Sequence, residues 1–203
     1  LNGSAQMEES QRHKIYGDIY DDAIWLINLV ENLLSVTRIE NGTMNLKRQT
    51  ELLDDVINEA MHHLDRKSGE HKITVKQEDE FLMARMDTRL IVQVFINIID
   101  NAIKYTPAGS EIKVHVFQKD GFVWTEIADN GNGVADADKN KLFQMFYTAE
   151  NQKGDGRRGL GLGLALCKAI INAHSGEIGV RDNSPRGSVF YFTLPAEEVV
   201  IHE

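Results

Sequence analysis

The chain has 203 residues, 42% hydrophobic and 26% charged, the profile of a globular protein with one good core and an extension. Its net charge is -9 with the acids scattered, so it lacks the basic stripe that binding to nucleic acid would need. No apolar run approaches the roughly 20 residues that span a bilayer. The chain begins at Leu1 with neither an initiator methionine nor a signal-like segment, and it is read as a fragment of something longer. Its single cysteine, Cys167, can form no internal disulfide, which suits a reducing compartment, and its apolar neighbours make it a packing residue.

Met7 to Glu40 reads as one long helix. Tyr16, Tyr20, Ala23, Ile27, Val30 and Leu34 alternate spacings of four and three, with Ile19, Leu26 and Leu33 on the flank. A stripe this wide needs partners, so the helix is expected in a bundle with upstream sequence or a second copy. Asn41-Gly42 stops it, because either residue tolerates a left-handed helix end. Thr43 to Arg48 is an extended connector. Glu51 to Lys67 is an amphipathic helix with Leu53, Val56, Ile57, Ala60 and Leu64 on one face. His62 and His63 are adjacent, point to different faces, and read as surface residues.

Lys72 to Lys76 and Leu82 to Met86 alternate as strands. Asp87 or Thr88 then caps a helix whose buried face is Leu90, Ile91, Val94, Ile98 and Ala102. Glu111 to Phe117 and Phe122 to Ala128 form a hairpin, and Glu177 to Asp182 with Ser188 to Leu194 form a second. A loop-rich stretch from Asp129 to Arg158 separates them, followed by a glycine-led helix from Gly159 to Ala173. The acidic tail after Pro195 reads as mobile.

Three features carry chemistry. Asn97 and Asn101 stand four apart on one helix face, with Lys104 close to it; two amide oxygens and an ammonium suit a hydrated cation and a phosphate chain. Asp129, ending a strand and followed by Gly131 and Gly133, puts an acceptor at the sheet rim where a planar ligand can approach bare backbone. By itself this is equally a good turn. Gly159, Gly161 and Gly163 open a helix, so backbone N–H groups and the helix dipole face an anion, with Arg157 and Arg158 just before. The Gly-x-Gly-x-Gly spacing after a loop demotes a dinucleotide-binding turn. Between the glycine motifs lies a lid-like segment, with Phe143 and Phe146 as its anchors on the core.

In this order the motifs resemble the N, G1, F and G2 boxes of sensor histidine kinases over roughly Leu52 to Pro195. Leu29 to Leu34 and Arg38-Ile39-Glu40-x-Gly42 resemble the second helix of that family's dimerisation and phosphotransfer domain. Within the family the chain is most similar to potassium-responsive sensors. The resemblance implies an α+β two-layer sandwich, a mixed and mostly antiparallel sheet with helices on one face, preceded by the heptad helix. It divides the chain into a partial phosphotransfer helix at 1–42, an ATP-binding catalytic domain at 43–196 and a tail at 197–203.

It also implies ATP and Mg2+ as cofactors. Asp129 would take the adenine amine, with Gly131 and Gly133 shaping the pocket. Asn97 and Asn101 would hold magnesium and phosphates, Lys104 and Arg158 would add charge, and Tyr105 would line the site. Gly159, Gly161 and Gly163 would close over the triphosphate. Implied partners are ATP or ADP, a response-regulator receiver domain and a second copy through the bundle. The implied location is cytoplasmic, as part of a membrane-anchored sensor.

Relatives that hydrolyse ATP resemble this chain but carry a glutamate where Asn97 stands. An amide cannot take a proton as a carboxylate does, so transfer to a protein nucleophile is expected over hydrolysis. None of His13, His62, His63, His71, His115, His174 or His202 sits in the family's acceptor setting, so this chain alone is not expected to phosphorylate itself. A nucleotide-binding or dimerising module without turnover, and an ATPase of the related fold, are the competing readings.

Overall fold

The structure is a computed structural model that describes residues 9–64, 70–148 and 161–197. Helix α1 (Glu9–Glu40) leads through an irregular connector to strand β1 (Gln49–Leu52) and helix α2 (Leu53–Leu64). Strands β2 (Lys72–Gln77) and β3 (Met83–Met86) precede helix α3 (Thr88–Tyr105). The hairpin β4 (Glu111–Lys119) and β5 (Phe122–Asp129) follows, then the single turn α4 (Asp136–Lys139), helix α5 (Gly163–Ala173) and the hairpin β6 (Ile178–Asp182) and β7 (Ser188–Pro195).

Five strands form one sheet in the order β2-β4-β5-β7-β6. Only β2 and β4 run parallel; the other pairs are antiparallel. β1 and β3 pair apart, and an Ala84–Ala196 bridge ties them to the end of β7. This is the mixed, mostly antiparallel architecture that the resemblance implies.

Period-two alternation decides which face is dry. Ile112, Val114 and Val116 of β4, Val123 and Ile127 of β5, and Phe190, Phe192 and Leu194 of β7 are buried. Against them lie α2, α3 and α5, with Leu53, Val56, Ile91, Val94, Phe95, Ile98, Leu166 and Ile170 in the same core. Phe95 meets Phe192 edge to face at 5.2 Å, a geometry favoured by the ring quadrupoles. Cys167 is fully buried in that core, and burial pushes its thiol up to about 12 against a smaller opposing influence of the Asn97 amide. A thiol so placed packs and does not react.

Three expectations change here. The helix read from Glu51 starts at Leu53, because Gln49–Leu52 pairs with β3 as a strand. Asp87 does stand at the N-cap of α3, but its side chain makes no capping bond. Its Oδ2 instead accepts the Lys47 N–H at 3.0 Å, fastening the connector after α1 to the domain. Its own N–H donates to His174 Nε2 at 3.0 Å, and His174 Nδ1 reaches Ile170 O at 2.8 Å. Helix α1, expected to face outside partners, also packs on its own domain. Val36 is buried, while Leu29, Asn32, Ser35 and Ile39 are half-buried along the same side. The heptad stripe lies elsewhere on the helix: Tyr16, Ile19, Tyr20, Ile27, Val30 and Leu34 are all exposed. Where α1 meets α5 there is a groove of about 600 Å³, lined by Ile39, Phe143, Met145, Lys168 and Ala169.

Candidate functional site

Alternation along β5 places Asp129 on the helix-facing side with Val123, Thr125 and Ile127, at the last inward position before the strand ends. Its Oδ1 accepts the N–H of Gly131 at 2.8 Å and that of Ser188 at 3.3 Å. Among the described residues Oδ2 takes no hydrogen bond. The residue is 7% exposed. Burial raises its carboxyl above the usual aspartate range, and the two backbone N–H groups partly oppose that rise. An acceptor is thus held still, with one oxygen committed to the protein and the other left for a donor.

The main chain around Asp129 is clamped by the β6–β7 turn, which sequence reasoning treated only as a hairpin. Asn183 Nδ2 donates to Asp129 O at 2.7 Å. Gly187, at φ 105°, lies so close that a Cβ there would strike the Asp129 carbonyl. A Cβ at Gly133 would come within 3.2 Å of Gly187 O. On the far side, Asn130 Oδ1 accepts the Glu111 N–H at 3.2 Å, and Lys139 bonds both Asp136 and Asp182, pinning α4 to the end of β6. The signal for this clamp was Asn183 and Gly187 bracketing a turn, but a turn motif does not say what it rests on.

The end of α3 lies against the same stretch of backbone. A Cβ at Gly131 would be 2.8 Å from the Thr106 methyl and 3.5 Å from Tyr105 O, so only bare backbone fits there. Tyr105 is 38% exposed, and Lys104 is exposed beside it. One turn and two turns back, Asn101 and Asn97 are half-buried on the border of the α3 core face. Asn97 Nδ2 is buried and makes no hydrogen bond of sound geometry among the described residues, although the amide acts on the Cys167 thiol, and an amide donor left this way is costly unless something else accepts from it. Gly163, which opens α5, faces Asn97: a Cβ there would be 3.8 Å from Asn97 Oδ1.

Gly161 lies at φ 66° and a Cβ on it would collide with the Tyr147 backbone. Its carbonyl accepts the Phe146 N–H at 3.1 Å, so the two described ends of the lid segment meet. Tyr147 donates to Asp138 Oδ1 at 2.6 Å. The two predicted anchors separate: Phe143 packs on the core, while Phe146 is 59% exposed with a left-handed backbone, because its N–H is turned toward Gly161. Arg157, Arg158 and Gly159 lie outside the described residues. The structure therefore brings Asn97 together with Gly163, and Asp129, Gly131 and Gly133 together with the Tyr105 end of the same helix.

Among the described residues no cluster of three His, Cys, Asp or Glu side chains could hold a metal alone. Asn97 and Asn101 offer neutral oxygens, a donor set that fits magnesium only when phosphate oxygens and water complete the shell.

The model of the histidine kinase-, DNA gyrase B-, and HSP90-like ATPase family matches residues 86–198. The sensor protein KdpD of Clostridium acetobutylicum is 38% identical over 197 residues, covering 97% of this chain and 22% of the relative. The heme sensor protein HssS of Staphylococcus haemolyticus is 29% identical, covering 94% of this chain and 41% of the relative. The chain thus spans less than half the length of these curated relatives. The catalytic domain of histidine kinase ThkA superposes with a TM-score of 0.66 at 27% identity, covering 75% of this chain and 96% of that domain. Full-length ShkA, solved with AMPPNP, shares the fold at a TM-score of 0.79 and 22% identity, covering 94% of this chain and 40% of ShkA. With its sheet, its helix order and its motifs arranged around α3, the chain belongs to the histidine kinase-, DNA gyrase B- and HSP90-like ATPase family, as an ATP-binding catalytic domain of the sensor histidine kinase type.

Proposed function

We propose that this chain binds ATP with Mg2+ along the C-terminal half of α3 and presents the γ-phosphate to a histidine of a phosphotransfer helix. Adenine would sit at Asp129, donating its exocyclic amine to the open Oδ2, with Gly131, Gly133 and Tyr105 around it. From Asn97 to Thr106 the helix advances about 13 Å, which suits an extended nucleotide with its phosphates near Asn97, Asn101, Lys104 and the head of α5. Phosphate oxygens would supply the acceptor that Asn97 Nδ2 lacks. Gly159, Gly161, Gly163 and Arg158 would enclose the triphosphate. Magnesium, held by Asn97 and Asn101, would supply positive charge to the phosphates.

The observation that carries transfer over hydrolysis is the amide at Asn97. With no carboxylate there to prepare a water, the chain's own groups bind, orient and neutralise charge, the main demands of phosphoryl transfer. In the step itself an imidazole nitrogen of the acceptor bonds to the γ-phosphorus, the bond to the β–γ bridging oxygen breaks, and ADP leaves with that electron pair.

The division at 1–42, 43–196 and 197–203 belongs to this reading, as does a homodimer through the exposed stripe of α1. A response-regulator receiver domain is the proposed onward partner; ThkA has been solved with its response regulator TrrA. Among the described residues no helix is long and apolar enough to cross a membrane. The relatives named as sensors support a cytoplasmic domain of a membrane-anchored protein.

Calorimetry with ATP and ADP, with and without Mg2+, tests binding; no heat with either nucleotide would sink the reading. Adding a separate acceptor-helix fragment should yield acid-labile phosphate on it. Steady phosphate release by the chain alone would favour an ATPase, and binding without either product would favour a module without turnover.

A further inference from the structure

Thr106, the residue that ends α3, is held in place from two sides. Its hydroxyl lies 2.6 Å from Ala102 O and 3.0 Å from His71 Nε2. A carbonyl only accepts, so the hydroxyl proton is committed to Ala102. Oγ1 must then accept from His71, which places a proton on Nε2. His71 is fixed in turn. Gly109 donates to Glu70 O at 2.6 Å and Lys72 donates to Ser110 O at 3.0 Å, sewing the residues on either side of His71 to the turn after α3.

The consequence falls on the pocket wall. With its hydroxyl bonded twice, Thr106 has one rotamer open to it, and that rotamer drives its methyl against Gly131. The Cβ position of Gly131 is 2.8 Å from that methyl and 3.0 Å from Asp129 Oδ1, so methyl and carboxylate border the same bare backbone. We propose that His71 is a positioning residue for base selection: through Thr106 it sets the wall beside Asp129 and so favours adenine over guanine.

This rests on the nucleotide reading above. Adenine presents an amine to Asp129 directly. Guanine presents a carbonyl oxygen at that position, and must slide sideways to offer its ring N–H and amine instead. A fixed Thr106 wall denies that slide. A wall released from His71 allows it.

The test is a pair of affinities, for ATP and for GTP with Mg2+, in the whole chain. His71→Ala should weaken ATP about fivefold and leave GTP unchanged or tighter, so the ATP preference falls by about fivefold or more. Thr106→Val keeps the shape of the wall but cannot accept from His71, and should behave as His71→Ala does. His71→Gln retains a side-chain N–H in nearly the same place and should recover most of the preference. An ATP-to-GTP ratio unmoved in both His71→Ala and Thr106→Val, with the wild type binding ATP normally, overturns this inference alone. A wild type that binds neither nucleotide overturns the nucleotide reading with it.

Discussion

At one end of the site Asp129 is over-determined. Two backbone N–H groups hold its Oδ1, Asn183 holds its carbonyl, and Gly187 packs on it with no room to spare. At the other end Asn97 keeps a buried amide donor with no hydrogen bond of sound geometry among the described residues, and Lys104 stands in solvent. The first end is built before any ligand arrives. The second leaves an unmet donor and an exposed charge, which a phosphate chain would complete. Recognition of a base rewards a rigid edge, since a misplaced donor costs as much as a missing one. Recognition of a triphosphate rewards charge that can adjust, because the phosphate chain changes length during the reaction.

The comparison can be broken at its rigid end. Gly187→Val would push a side chain into the Asp129 carbonyl from a backbone that valine rarely adopts. Loss of ATP binding by about 100-fold or more, read by titration, is expected, with a lower melting temperature. A milder cut is Asp129→Asn, for which ATP should weaken about 10- to 100-fold as the charged acceptor is lost.

Asp129→Asn should not lower the melting temperature of the unliganded chain. A carboxyl whose folded pKa is raised contributes stability below its unfolded pKa and loses it as pH rises through the folded one. At neutral pH the ionised, buried Asp129 is therefore a cost that asparagine removes. A large fall in melting temperature would mean that Asp129 holds the fold and not the base.

The adaptable end should respond differently. Asn97→Ala should weaken Mg2+-ATP about tenfold while leaving adenosine nearly unaffected. Equal loss for both ligands would place Asn97 at the base instead. The smallest effect is expected away from either end. Burial lowers the His174 pKa, with the nearby Arg48 adding to the fall and the Ile170 carbonyl and Asp87 opposing it. A depressed folded pKa contributes stability above the unfolded value of 6.5, lost as pH falls through the folded one. Melting temperature should thus drop by a few degrees between neutral pH and about pH 5, and His174→Gln, which cannot titrate, should flatten that slope.

Much of this was legible along the chain because two periodicities carry it. The 3.6-residue period puts Asn97 and Asn101 on one side of α3, and the two-residue period turns Asp129 inward with Ile127. Less legible were residues whose role depends on what crosses them. Asp87 read as a helix cap, yet its carboxylate serves the Lys47 N–H forty positions away in sequence. Phe143 and Phe146 read alike, and only one is covered. Helix α1 read as a single stripe, but the side formed by Leu29, Val36 and Ile39 rests on its own domain while the heptad positions stay exposed.

By itself the sequence determined most of the element order, the faces that α2, α3 and the long strands bury, and which chemical groups reach the rim of the sheet, because those follow from local periodicity and residue type. Tertiary structure alone decided which of those groups are held and by what. The β6–β7 turn on Asp129, His71 behind Thr106, and Gly163 opposite Asn97 each join segments far apart in the chain. No local pattern records such meetings, since each depends on how the sheet and helices stack and not on the spacing within either partner.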